Sequence, residues 1–458
     1  MAKDTHDFKE HLYTIDKRGN RLWVYPHIVS GFFRKKRAVV ALFLICFYIL
    51  TPWITIGSDQ AIFLDISNRR FIFFGLTFWA SDSEFLVMVL GGLGISLFFF
   101  SALFGRVWCG WACPETVFLE FIFRPIEAFF EGGPNDRRKL DAAPWDFQKI
   151  FKKVGKYFSF AVFSWILAST SLAYFLGRTP LWHMMLDGPL DHMPMFTLTL
   201  AMMAFLLFQF GWFREQFCTV VCPYARFQSV LLDPHSLVVG YDSKRGEPRG
   251  KNSEGDCIDC GLCVRVCPTG IDIRNGLQLE CVQCTACIDA CDSIMEKIGK
   301  PKGLVRYASE ERLKGNTTKI LRPRIVVYAL MITGYLVLFT YSLITKDSAE
   351  VRILRQPGEA PFQIVAPGII DNHFNIHISN KSNQVDSFSV IGSSDERVKV
   401  ITPIQEMKVP AGSLKDLPVF LQFPGSILEH GTKKITLYVK SMNGYKGSQE
   451  IALSGPDT

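Results

Sequence analysis

The sequence predicts a multi-domain membrane protein: an α-helical membrane bundle of five spans, a compact cysteine-rich α+β module, and a C-terminal all-β sandwich. Three observations predict it. Five stretches run without charge for long enough to cross a bilayer, which takes about 20 apolar residues. Eight cysteines fall in two near-identical runs between Cys257 and Cys291. Beyond Lys346 the composition turns to short alternating segments separated by turn residues.

The five uncharged stretches are Ala38–Ile56, Phe85–Phe104, Tyr157–Gly177, His192–Phe213 and Ile325–Ile344. The chain of 458 residues is 48% hydrophobic and 13% aromatic, with a mean hydropathy of +0.18. That is too apolar for a purely soluble protein and too mixed for spans alone. The first 37 residues are polar and the first span is too long for a signal peptide's apolar core, so no cleavable signal is expected.

Charge sets the expected orientation. Residues 1–37 carry nine Lys or Arg, ending in Arg34-Lys35-Lys36-Arg37, and the loop 105–156 carries nine again. The loop 57–84 has only Arg69 and Arg70, and the loop 178–193 only Arg178. The positive-inside rule then predicts a multi-pass protein of the bacterial cytoplasmic (inner) membrane, with the N-terminus and the cysteine-rich module cytoplasmic. An odd number of spans leaves the C-terminal domain in the periplasm. The net charge of +7 sits in loops beside spans, where it meets anionic membrane lipid. No nucleic acid partner is expected, because no binding motif accompanies the charge. The predicted boundaries are 1–37 (basic N-terminus), 38–235 (four-span core), 236–323 (cysteine-rich module), 324–345 (fifth span) and 346–458 (β domain).

The cysteine runs are Cys257-x2-Cys260-x2-Cys263-x3-Cys267-Pro268 and Cys281-x2-Cys284-x2-Cys287-x3-Cys291-Asp292. This is the spacing of a two-cluster ferredoxin, in which the fourth cysteine of each run ligates the other run's cluster. One [4Fe-4S] cluster is expected on Cys257, Cys260, Cys263 and Cys291, the second on Cys281, Cys284, Cys287 and Cys267. Three thiolates from one tight loop must meet three corners of a cubane, hence the short spacings. Zinc sites use one or two Cys-x2-Cys pairs rather than two full runs, and a reducing cytoplasm argues against disulfides.

Two further pairs follow the second and fourth spans: Cys109-x3-Cys113-Pro114, after Arg106, and Cys218-x3-Cys222-Pro223, after Arg214. Aligning Cys109 with Cys218 also aligns Phe118 with Phe227, a weak internal repeat. The i, i+4 spacing predicts that the thiols of each pair share one helical face. The proline either opens a new helical turn or kinks the helix. Soft thiolates here suit Cu(I), zinc or an iron–sulfur cluster, or a dithiol–disulfide couple. The segments Thr116–Phe130 and Tyr224–Leu232 mix aromatics with charge and read as amphipathic interfacial helices. His183, Met184, Met185, His192 and Met195 add soft and borderline ligands on the opposite side, although Met195 and His192 fall where the fourth span begins.

In the tail, Phe374-Asn-Ile376-His-Ile378, Val398-Lys-Val400 and Lys434-Ile-Thr-Leu-Tyr-Val439 alternate, with turns at Asn380-Lys-Ser-Asn383, Pro410-Ala-Gly412 and Asn443-Gly444. Short strands so spaced predict an immunoglobulin-like sandwich, here without cysteine. His377, between apolar neighbours, is expected to face outward.

Cys-x3-Cys-Pro repeated after alternate spans, followed by a two-cluster ferredoxin, resembles the polyferredoxin membrane proteins of the NapH and NosR groups. The segment Val239–Lys251 (VGYDSKRGEPRGK) and the β-rich tail narrow this. Together they resemble the cytochrome c oxidase accessory protein family CcoG, also called FixG or RdxA. The resemblance covers essentially the whole chain. It implies a cupric reductase: a membrane-bound iron–sulfur oxidoreductase that reduces Cu(II) to Cu(I) on the cytoplasmic face for assembly of cbb3-type cytochrome c oxidase. It implies copper, as substrate or bound ion, at Cys109, Cys113, Cys218 and Cys222. Implied partners are a cytoplasmic electron donor, a copper-exporting ATPase and copper chaperones. A homo-oligomer, an electron-transfer subunit linking the quinone pool to a partner reductase, a copper carrier and a non-catalytic assembly scaffold stay open.

Overall fold

The structure is a computed structural model, and it describes residues 21–57, 59–67, 70–79, 83–188, 190–355, 360–382 and 384–456. The first twenty residues of the basic N-terminus, Arg69 and the turn residue Asn383 lie outside the described residues. Among the described residues five helices are long and apolar enough to cross a membrane: Phe32–Trp53, Glu84–Phe104, Phe147–Leu176, Met193–Phe213 and Pro323–Ile344. Two of them start well before the uncharged stretches. The first takes in Arg34-Lys35-Lys36-Arg37, and the third takes in Lys149, Lys152, Lys153 and Lys156. Charge excludes residues from the hydrocarbon but not from a helix. Arg34, Arg37, Lys149, Lys153 and Lys156 find partners within the protein, so the backbone ladder continues past the apolar limit.

The chain divides into two compact units. One comprises Met1–Asp65, Ile72–Gly75 and Val89–Leu336, and the other Ile66–Phe71, Leu76–Met88 and Val337–Thr458. The cysteine-rich module therefore belongs to the same unit as most of the membrane helices. Within that unit the first span donates a hydrogen bond from the Tyr48 hydroxyl to the Leu167 carbonyl of the third (3.0 Å). Phe123, Phe160 and Phe210 form a buried aromatic core in which Phe123 and Phe210 stack at 4.4 Å.

The module is framed by two strands, Val238–Tyr241 before the first cysteine run and Val305–Ala308 after the second, paired antiparallel. Between them the helices Leu262–Arg265 and Ala286–Lys297 each follow a cysteine loop. The loops have matching backbones. Asp259 and Gly261 flank Cys260 at φ +53° and +65°, and Gln283 and Thr285 flank Cys284 at +52° and +62°. Non-glycine residues rarely adopt this left-handed region. Three such residues at equivalent places show that both loops curl tightly about their second cysteine.

The second unit is the predicted all-β sandwich. One sheet runs Lys399–Ile401, Leu414–Pro424, Ile369–Asn380, Ala349–Arg355, with Gln363–Ala366 also paired to Ile369–Asn380. The other runs Met407–Val409, Asp386–Ser393, Thr432–Ser441, Lys446–Ser454. Period-two alternation buries Phe374, Ile376 and Ile378 against Leu417, Val419 and Leu421. His377 does face outward, hydrogen-bonded to Asp416 across the strand pair at 2.5 Å.

Candidate redox site

The ferredoxin cysteines converge in the crossed arrangement. Cys257, Cys260, Cys263 and Cys291 line one hollow. Cys267, Cys281, Cys284 and Cys287 line another, which Cys263 also lines. Cys267 interacts electrostatically with Cys281, Cys284 and Cys287, and Cys291 with Cys257 and Cys263. Backbone N–H groups of Thr269, Gly270 and Ile271 point at the Cys267 sulfur, and that of Ala286 at Cys284. Among the described residues no three His, Cys, Asp or Glu side chains converge on single-ion geometry. Four thiols around a hollow, too widely set for one ion and met by N–H donors, fit a cubane. Burial pushes the thiols of Cys263 and Cys284 up to about 11. They stay protonated at neutral pH until iron displaces the proton.

The other four cysteines also meet. Cys109, Cys113, Cys218 and Cys222 all lie within mutual electrostatic range, every one of the six pairs interacting. Neither pair occupies one continuous helical face, contrary to the i, i+4 expectation. Cys109 lies in the short helix Val107–Trp111, whereas Cys113 is extended (φ −62°, ψ 127°) and precedes the next helix, Pro114–Phe118. Cys218 lies in a π-helical turn, Phe217–Val221, and Cys222 is again extended before the helix Pro223–Leu231. The proline is the cause: its ring excludes the preceding residue from helical geometry, and its missing N–H suits a first turn. The pairing across the two repeats comes from the fold.

Cys109 is buried and its thiol donates to Gln228 Oε1 at 3.2 Å. Gln228 is itself fully buried and donates to Ser101 Oγ and the Gly105 carbonyl. Burial pushes the Cys109 thiol up to about 12, Cys113 adding to the shift and Arg106 opposing it. Cys218 is likewise raised, first by burial and then by Glu115. Burial also raises Glu115 to about 7.

The second cysteine run is docked on this site by residues whose role the sequence did not reveal. Arg37 donates through Nε to the Gly110 carbonyl (2.8 Å) and through Nη1 to the Cys284 carbonyl (2.7 Å). A side chain at Gly110 would collide with the carbonyls of Val282 and Gln283. Trp111 Nε1 donates to the Tyr307 hydroxyl (3.0 Å), which donates to the Gln283 carbonyl (3.2 Å). Arg106 joins the carbonyls of Leu279 and Cys281 to that of Ala225 in the second repeat. Asp289 accepts from the backbone N–H groups of Phe33 (3.1 Å) and Arg34 (2.7 Å), capping the first span.

The segment after Cys113 corrects a second expectation. It runs through Pro114–Phe118, a π turn at Leu119–Phe123 and Arg124–Glu131, and its charged side is buried rather than at the surface. Glu127 takes bonds from Arg214 (2.8 Å) and Arg137 (2.7 Å), Glu131 pairs with Lys153 and Lys156, and Glu120 pairs with Arg34 (2.6 Å) and Arg124. Phe129 points outward, 83% exposed. The inversion occurs because counter-charges arrive from four other parts of the chain (Arg34, Arg137, Lys153 with Lys156, and Arg214), which no helical pattern encodes. Arg214 sits at φ +51° between two π turns, held there by Glu127 and the Phe210 carbonyl. Opposite, Met184 is a core residue packed with Leu181 and Met195, and the exposed His183 and half-buried His192 both approach Asp187. Cys46 is exposed on the first span.

These features define a membrane iron–sulfur protein of oxidoreductase type, carrying an immunoglobulin-like domain. Comparison with known proteins agrees. Residues 213–254 and 247–310 match the family described as "4Fe-4S dicluster domain", residues 85–132 match "4Fe-4S binding domain", and residues 339–456 match the "IG-like fold at C-terminal of FixG". The chain is 35% identical to the protein RdxA of Cereibacter sphaeroides over 82% of its own length and 84% of the relative's. It is 33% identical to the nitrogen fixation protein FixG of Rhizobium meliloti, covering 78% and 76%. It is also 33% identical to RdxB of Cereibacter sphaeroides, covering 87% and 88%. The chain belongs to the FixG family.

Proposed function

We propose that this protein reduces Cu(II) to Cu(I) at the cytoplasmic face of the inner membrane and supplies Cu(I) for assembly of a cbb3-type cytochrome c oxidase. The observation that carries this reading is the meeting of Cys109, Cys113, Cys218 and Cys222 at one partly buried site, with the second ferredoxin run packed against Gly110. A cubane on either ferredoxin set supplies one-electron transfer when bound. Each Cu(II) takes one electron at the four-cysteine site, and a reduced one-electron carrier in the cytoplasm is oxidised by one. Soft sulfur favours Cu(I) over Cu(II), which draws the reduction forward. Gln228 fixes the Cys109 thiol, and Arg37 and Arg106 hold the electron-supplying module against the site. Cu(I) then passes to a soft-ligand carrier, a copper-exporting ATPase or a copper chaperone, while the C-terminal domain docks a periplasmic partner.

The test is Cu(II) reduction by the full-length protein, purified anaerobically, read with a Cu(I)-selective chelator. Cys109→Ser/Cys113→Ser and Cys218→Ser/Cys222→Ser should each lose most of the activity while the absorbance of the ferredoxin clusters persists. Full copper reduction in both variants would place the copper chemistry elsewhere. Electron exchange with quinol but not with copper would favour a quinone-linked subunit.

A further inference from the structure

We infer that the membrane-facing end of the immunoglobulin-like domain is a lipid-docking surface, on which Val385, Leu414 and Met442 enter the bilayer and Lys440 and Lys446 meet the headgroups of anionic phospholipid. The leaflet is the one from which the fifth span emerges. The inference stands apart from the copper reading and concerns a face which that reading leaves unused.

Three observations carry it. The first is connectivity. The fifth span ends at Ile344 and the first strand of the sandwich begins at Ala349. The peptide steps from one to the other reach at most about 18 Å, and Lys346 ties the linker down by donating to the Thr77 carbonyl (3.0 Å). Three turns of the sandwich lie at this end. Asn380 stands opposite Ala349, and the turn after it donates from the Lys381 N–H to the Ser348 carbonyl (3.0 Å). The turn at 409–414 is bonded to Asn380 twice: the Gly412 N–H donates to the Asn380 carbonyl (2.9 Å), and Asn380 Nδ2 donates to the Val409 carbonyl (3.0 Å). The Met442 N–H donates to the Ser387 carbonyl (3.0 Å), beside Asp386, which pairs with Val409. The Trp79 ring lies against Gly412, where a side chain would collide with it. Trp is enriched at membrane–water interfaces.

The second is exposure. Each of the three turns carries an apolar side chain outward: Val385 is 60% exposed, Leu414 60% and Met442 76%. One such residue on a protein surface is ordinary, but three on the turns nearest the end of a span form a group. Hydrocarbon within reach takes them out of water, which stabilises the docked arrangement. The strand Ile369–Asn380 runs the length of the sheet. Its other end, paired with Gln363–Ala366, lies about 37 Å from the membrane-facing turns and is left free for a protein partner.

The third is charge. Lys440 and Lys446 stand directly opposite each other at the last rung of their strand pair, both exposed. Like charges so placed repel, and a negatively charged surface offsets the repulsion. Lys381, Lys408 and Lys415 flank the other two turns. Lys381 pairs with Glu350 (3.0 Å), and Lys415 donates to the Lys408 carbonyl (3.0 Å). Of the acids at this end, Asp386 is buried and accepts from the Ser387 and Asn443 N–H groups, Asp416 is bonded to His377, and Asp347 is exposed in the linker. Lysine in excess beside exposed apolar side chains is the combination that binds anionic membrane.

The experiment follows backbone hydrogen exchange by mass spectrometry in the full-length protein, one chain per nanodisc, in phosphatidylcholine alone and with phosphatidylglycerol added. The turns at 380–386, 409–415 and 440–446 should exchange several-fold more slowly with phosphatidylglycerol, and the far hairpin at 363–369 should exchange equally in both. Lys440→Gln/Lys446→Gln should remove the difference between the two lipids. Leu414→Ser/Met442→Ser should speed exchange of the turns in both. Equal rates for the wild type in the two lipids would overturn the inference. So would equal rates for the wild type and Leu414→Ser/Met442→Ser in phosphatidylglycerol. Protection that appears only with two chains per disc would assign the face to a second copy of this chain and overturn it as well. The four substituted side chains are all exposed, and the wild-type comparison decides even where a variant fails to fold.

Discussion

Arg37 illustrates how much a single residue's meaning depends on its surroundings. In the sequence it is the last of four basic residues before a span, a topology signal. In the fold it is 2% exposed and ties the carbonyl of Gly110, next to one redox thiol, to that of Cys284, a cluster ligand. Removing the guanidinium leaves two buried carbonyls without their charged donor, a loss of about 3 kcal/mol. Arg37→Ala should therefore speed the stripping of iron by a chelator and slow electron delivery to copper. Arg37→Lys, which keeps the charge but only one of the two directions, should restore part of both. Equal iron-release rates in Arg37→Ala and the wild type would show that the clip does not hold the second cysteine run. Asp289 and Gln228 belong with Arg37. Each is polar, buried and committed to a group far away in the chain, and nothing in its immediate neighbours announces the role. The cysteines were legible because metal chemistry demands a particular residue at a particular spacing.

At the scale of elements, the segment from Pro114 to Glu131 is the clearest departure from pattern. Its mixture of Phe, Glu and Arg suits a membrane-surface helix, yet Glu120, Glu127 and Glu131 all point into protein. Burial alone would raise the carboxyl of Glu120, but Arg124, Arg37 and Arg34 outweigh it and hold it down at about 2. Burial opposes ionisation of Glu127 too, and Arg214, Lys156 and Arg137 hold it at about 2. A carboxyl depressed on folding contributes stability that is fully present above its unfolded value of about 4.3 and is lost as pH falls through the folded one. The thermal unfolding temperature of the detergent-solubilised protein should thus fall between about pH 4.5 and pH 2. Glu127→Gln should lower it already at neutral pH, by about 3–5 kcal/mol of stability, because Arg214 and Arg137 would keep their charge without a counter-ion. A variant as stable as the wild type at pH 7 would deny the network that role. Helix type and approximate position could be read from the sequence here. The face each helix buries could not, because partners from residues 34, 137, 153, 156 and 214 decide it.

At the scale of the molecule, the two units have different kinds of core. The sandwich buries Phe388, Leu417, Leu421 and Leu437 largely by alternation; that pattern was read in Phe374–Ile378, Val398–Val400 and Lys434–Val439, and not in the strands Asp386–Ser393 and Leu414–Pro424. Leu421→Ala should cost that unit about 2–5 kcal/mol. It should lower the unfolding transition of the β domain in calorimetry of the full chain and leave iron content and copper reduction unchanged. Loss of iron in this variant would mean that the metal-binding unit depends on the sandwich for its fold. The other unit combines apolar helices with buried ions and two docked cysteine loops, so its stability and its chemistry draw on the same contacts.

The sequence by itself determined the class of this protein. Hydrocarbon thickness fixes the length of a span, cubane geometry fixes the spacing of ferredoxin cysteines, and the pleat fixes the alternation of a strand, so each leaves a local and countable trace. Only the tertiary structure decided that the two Cys-x3-Cys-Pro pairs meet at one site and that the second cysteine run rests on Gly110 through Arg37. Those contacts join residues 73 to 247 positions apart, and at that distance packing and charge compensation, rather than local periodicity, choose the neighbour.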